Sequence, residues 1–161
     1  MQNNYLQKIS EQYQVNQIMK TNEESKENGL TLTKEDATAL VAARGDTLRE
    51  ERRVEFGDSI SPKLIRAFAD SSFINQEDYA EIIARLQEIF FLYKNESMDM
   101  VSDDELLGIM KNAFENESGG DLEYLEGTAL EAFARNVRAG ENWADRYKRE
   151  KLNLGDQFDE L

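Results

Sequence analysis

The chain has 161 residues, 33 acidic against 19 basic for a formal net charge of −14, with one proline and neither cysteine nor histidine. That is the length of one ordinary domain, and Leu, Ile, Val and Phe, 38 in all, suffice to build a core rather than leave the chain disordered. The missing residue types exclude imidazole bases, Ser-His-Asp triads, thiolate nucleophiles, disulfides, iron–sulfur clusters and the usual zinc sites. A surface this acidic repels phosphate backbones, so nucleic acid is not the expected partner. No apolar run reaches the roughly 18 residues of a membrane span, and the polar N-terminus has no signal-peptide pattern. The expectation is a cytoplasmic chain, without cofactor or metal.

In chain order, the first predicted helix runs from about Asn3 to Ser25, with Tyr5, Ile9, Tyr13 and the pair Ile18/Met19 as its apolar stripe, and Gly29 after it in a left-handed exit. Leu32-Thr33-x-x-Asp36 reads as the next start, Thr33 capping and Leu32 stapling; this helix continues to about Arg53 with Ala37, Leu40, Val41 and Leu48 on one face. A break around Gly57 follows. Ser61-Pro62, a capping hydroxyl before a proline, opens a short helix that buries Leu64, Ile65 and Phe68 and stops near Asp70.

Residues 76–96 form the most apolar segment, with Tyr79, Ile82, Ile83, Leu86, Ile89, Phe90 and Tyr93 in one face and Ala84, Phe91 and Leu92 outside it. Such a helix is covered on more than one side, so it is the predicted centre. Ser102-Asp103-Asp104-Glu105 is a capping box, followed by Leu106, Met110 and Phe114 at helical spacing. Gly119-Gly120 punctuates, Asp121 caps, and Leu122, Leu125, Ala129, Phe133 and Val137 lead to Gly140. Trp143 to about Leu152 reads as a last helix and 155–161 as a frayed acidic tail. The prediction is an all-α bundle of six or seven helices over residues 1–140, with a C-terminal arm over 141–161.

The wording of these segments resembles a known family. Thr31-Leu32-Thr33-Lys34-Glu35-Asp36-Ala37, Arg53-Val54-Glu55-Phe56-Gly57, Pro62-Lys63-Leu64-Ile65, Leu86-Gln87-Glu88-Ile89-Phe90, Ser102-Asp103-Asp104-Glu105-Leu106 and Gly119-Gly120-Asp121-Leu122-Glu123-Tyr124-Leu125 together resemble an uncharacterised bacterial family, a domain of unknown function, over about residues 5–139. The resemblance implies a bacterial single-domain protein and brings no activity, cofactor or site residues.

No phosphate-binding or nucleophile-elbow motif occurs. The acids Asp99, Asp103, Asp104 and Glu105 do not follow the calcium-loop pattern, and three of them serve a helix start. Two charged residues fall within apolar stripes: Arg44, between Leu40 and Leu48, and Glu126, four after Leu122. Turned inward, each requires an ionic or amide partner, the other being one candidate; at the stripe margin, each snorkels to water. Charge is segregated, with ten acids against one base over residues 96–126 and six bases against three acids over 135–151. Trp143, Arg146, Tyr147 and Arg149 have the composition of interface anchors, and the same tryptophan would equally cap the bundle's own core. Two functions follow. The first is a non-enzymatic protein-interaction or regulatory adaptor, its partner another protein or a second copy. The alternative is a ligand-binding or carboxylate-based catalytic bundle built on Arg44 and Glu126; an apolar pocket lined by those two would favour it, whereas a solid core with an exposed apolar patch favours the adaptor.

Overall fold

A computed structural model describes residues 2–140, with side chains from Tyr5 onward; the predicted arm, with Trp143, Arg146, Tyr147 and Arg149, lies outside the described residues. The described residues form six helices and no strand. They are α1 (Gln2–Lys20), α2 (Lys34–Glu50), α3 (Ser61–Phe68), α4 (Tyr79–Glu96), α5 (Asp103–Asn116) and a composite α6 over residues 122–138.

The predicted boundaries hold where a side chain fixes them. Thr33 accepts from the Asp36 amide while the Asp36 carboxylate accepts from the Thr33 amide, a reciprocal capping box at α2. Ser102 caps α5 through the Glu105 amide, and the Asp121 carboxylate takes the Glu123 and Tyr124 amides at the start of α6. Gly29, at φ 78°, ends the short turns that follow α1. Gly120 is needed for a second reason: a Cβ there would lie 2.6 Å from the Cβ of Phe73, whose ring packs edge-on against Phe114.

Helix α4 is the centre, as its composition predicts. Ile83, Leu86, Ile89 and Phe90 are all buried to within about a percent, and Phe91 is buried on another side. Burying each such side chain is worth about 1.5–3 kcal/mol, so this helix holds more of the core than any other segment of its length. It packs against α2 on one flank and α5 and α6 on the other, while α1 sits at the edge, against α2. Ion pairs and hydrogen bonds fix the directions. Asn95 near the end of α4 bonds Glu51 just past α2, and Arg138 at the end of α6 bonds Glu96, so these three helices run the same way. Helix α1 runs opposite to α2, since Asn22 just past α1 bonds the Leu32 backbone just before α2 while Gln14 reaches Arg44. Helix α5 begins beside the end of α4, since Lys94 pairs with Asp103.

Three expectations need correction. Ser61 does not cap α3: its hydroxyl is buried and donates to the Gln87 amide oxygen of α4, while Gln87 Nε2 donates to the Leu40 carbonyl. The first helix breaks at Lys20 rather than running to Ser25, because Thr21 turns its hydroxyl back onto the Ile18 carbonyl. Its apolar stripe is buried only from Val15 onward; Tyr5, Ile9 and Tyr13 face outward. In α6 a π-turn over Leu125–Ala129 adds one residue to the helical repeat, so Leu130 and Ala134 are fully buried while Phe133 packs against the core partly buried.

Candidate functional site

The two charged candidates do not meet. Arg44, on α2, donates from Nε to Glu55 and from Nη1 to Gln14 of α1, 3.0 Å away, and its Nη2 pairs with Glu55 as well. Its side chain is 13% exposed and that of Glu55 10%, so this is a nearly buried pair. Glu55 is further held by the Ile60 amide, 3.0 Å from its second oxygen. Together they pin the loop of residues 51–60 to α1 and α2. Arg44 also lines a groove of about 350 Å³ between α1 and α2, whose mixed walls include Gln7, Ser10, Glu11 and Gln14 beside Val41 and Ala42. All three guanidinium nitrogens already face a partner, and Glu55 occupies the Nε/Nη2 fork.

Glu126 lies in the π-turn of α6 and pairs with Arg85 of α4 at 2.7 Å, its side chain one-third exposed (33%). That hydrogen bond is the leading cause of the raised pKa of Arg85. The Glu126 carbonyl accepts from the Tyr93 hydroxyl, and burial, ahead of the nearby Glu131 and Glu126 carboxylates, pushes the Tyr93 phenol well above its usual range. Among the described residues no group of three carboxylates is placed to hold a metal, and no helix is long and apolar enough to cross a membrane.

The feature that stands out is apolar and exposed. Polar residues of α1, Gln7, Ser10, Glu11 and Gln14, face α2 across the groove, which turns Tyr5, Leu6, Ile9 and Tyr13 toward solvent; Tyr5 and Leu6 are 68% and 65% exposed. In the neighbouring loop Glu55 points inward, so Val54 and Phe56 on either side point out, and Phe56 is 88% exposed. Tyr13 joins the two regions, sharing with Asp58, Ser59 and Ile60 a recess of about 340 Å³.

A third region lies at the same end of the molecule. Helices α2 and α4 each finish in a 6→1 turn, with Arg53 N on the Leu48 carbonyl and Asp99 N on the Lys94 carbonyl. The left-handed positions of these turns are filled by Arg52 and Met98 rather than glycine, and Asp99 is left-handed too, all with φ of 56°. Arg53 grips Asp99 with two bonds of 3.0 and 2.7 Å and Asn95 at 2.7 Å; the Arg53 hydrogen bond holds the Asp99 carboxyl below its ordinary pKa. Buried Lys94 donates to the Val101 carbonyl, 2.6 Å away. These ties fix the 97–102 turn with Val101 inside and Met98 and Met100 outside.

Eight of the ten exposed large hydrophobic side chains among the described residues therefore belong to these three neighbouring segments. Monomers seldom concentrate exposed apolar surface in this way.

A family model described as a family of unknown function, DUF6323, matches residues 17–143. The chain belongs to that family. No curated protein and no solved structure matches it. The DUF6323 match spans α2 to α6 and begins after Tyr13, so the exposed stripe of α1 precedes it.

Sequence reasoning found Arg44 and the apolar spacing of α1. It missed Val54, Phe56, Met98 and Met100. The available signal was apolar residues inside segments that periodicity already assigned to turns, where no helical face accounts for them.

Proposed function

We propose that this protein is a non-enzymatic interaction module that docks an amphipathic helix of another protein along α1. The observation that carries the reading is the outward stripe Leu6, Ile9 and Tyr13, at the i, i+3, i+7 spacing by which one helix packs on another. Tyr5 and Phe56 flank it, and the nearly buried Arg44–Glu55 pair holds the loop rigid beside it. A surface fixed before binding loses little conformational freedom when it is covered. The ligand-binding or catalytic alternative has less support, since Arg44 is held by Glu55 and Gln14 and Glu126 is held apart from it by Arg85.

The test places a photo-crosslinking amino acid at Leu6 or Phe56 of the full chain in its native cell, with Thr38 on the exposed part of α2 as control. The expected result is one discrete adduct from positions 6 and 56, absent from position 38 and abolished by the added substitutions Ile9→Glu and Tyr13→Glu. Adducts that also arise from position 38, or that survive both substitutions, would overturn the reading. So would an adduct of twice the chain's own mass, which identifies a second copy as the occupant.

A further inference from the structure

The patch around Met98 and Met100 lies where the described chain ends. Arg138, the last residue of α6, donates to the Glu96 carboxylate at 2.9 Å and to its carbonyl at 3.3 Å. Two residues later Gly140, at φ 84°, turns the chain, its amide on the Val137 carbonyl. Met98 follows Glu96 by two residues, a span of at most about 7 Å, and three residues beyond Gly140 span at most about 10 Å. Trp143 is thus within reach of Met98 without any rearrangement of the bundle.

We propose that residues 141–151 of this same chain dock on the Met98–Met100 patch, Trp143 seated on the two methionines and the cations of 146–151 set against the acids of 96–105. Chemistry matches on both counts. Segment 96–105 carries five carboxylates and no cation, and residues 146–151 carry four cations and one carboxylate. Asp99 and Asp104 keep 54% and 78% of their side chains exposed even within their ion pairs. Thioethers are adaptable and make favourable contacts with aromatic rings, and a tryptophan set on apolar surface removes a large area from water. The tether decides between occupants of equal chemistry: a short linker gives the arm an effective concentration of order mM, well above a free partner. This inference is independent of the docking proposed along α1, which uses other residues.

Trp143 is the single tryptophan of the chain, so the intrinsic fluorescence of the intact protein reads this contact directly. The expected result is a blue-shifted emission, slow to quench with acrylamide and unchanged on dilution. Met98→Glu with Met100→Glu should shift it to the red and at least double its quenching, while far-UV circular dichroism stays the same. Tyr124→Glu, exposed at the far end of the bundle, should change nothing. Solvent-like emission in the unaltered chain would overturn the proposal, as would protected emission indifferent to the methionine substitutions. Protection lost on dilution, together with a halving of the sedimented mass, would overturn it in favour of a second copy.

Discussion

Arg44 and Glu55 show how a charged residue inside an apolar stripe is made tolerable. Each is nearly buried, and each closes the other's hydrogen-bonding needs with help from Gln14 and the Ile60 amide. Such a pair adds little net stability over an apolar one, but removing one partner strands the other at a cost of about 3–5 kcal/mol. Arg44→Ala and Glu55→Ala should each lower the unfolding free energy by about 3 kcal/mol, given their residual exposure. The double substitution should cost clearly less than the sum. Glu126→Ala, a third exposed, should cost no more than about 1 kcal/mol and add independently to Arg44→Ala, because the two share no partner. Urea titration of the unaltered chain and these five variants checks this. Spacing along α2 shows that Arg44 faces inward. It does not show Glu55, because that residue lies in a loop with no period and reaches Arg44 only through the turn after α2.

At the scale of elements, what was legible is what is encoded locally. The caps at Thr33, Ser102 and Asp121 and the apolar face of α4 are readable from nearby residues, and the structure holds them, although at Ser102 only the serine half of the expected box forms. What escaped depends on contacts across the fold. The stripe of α1 has the right spacing for burial, yet spacing cannot tell a face that meets the core from one that meets solvent. The π-turn in α6 is likewise invisible locally, since it is tied from outside by the Tyr93 hydroxyl on the Glu126 carbonyl. Tyr93→Phe removes that bond with almost no change of shape and leaves a partly buried carbonyl short of a donor. The expected loss is about 1–2 kcal/mol, and hydrogen exchange should speed up most at the amides of residues 125–130.

For the whole molecule, the absence of histidine and cysteine makes a distinctive pH response. The Asp99 and Asp70 carboxyls titrate lower in the folded chain than in the unfolded one, chiefly through hydrogen bonds from Arg53 and Lys111. Their contribution is present above the unfolded carboxylate pKa, about 4, and is lost as pH falls through the lower folded values. Tyr79 and Tyr93 act in the opposite sense. Burial raises both phenols, so their contribution is present below about pH 10, where unfolded tyrosine ionises, and is lost as pH rises through the folded values. No histidine or cysteine is present to titrate between. The melting temperature should be level from about pH 5 to 9 and fall on either side. Asp99→Asn should soften the acid limb, Tyr93→Phe the alkaline one, and neither should move the plateau's slope.

Three non-glycine residues in left-handed conformation at one end of a small bundle carry a consequence for how this chain would respond to selection. An L side chain in that conformation costs about 1–2 kcal/mol, and at position 98 glycine would relieve it. Met98→Gly should therefore raise stability by about 0.5–1 kcal/mol net of the freedom glycine gains in the unfolded chain. Met98→Ala, which keeps the strain, should give no gain. A library screened for thermal resistance alone would drift to glycine here and lose a thioether from the surface. The ease of the backbone and the seat proposed for the C-terminal arm draw on the same residue, and relaxing the first erodes the second.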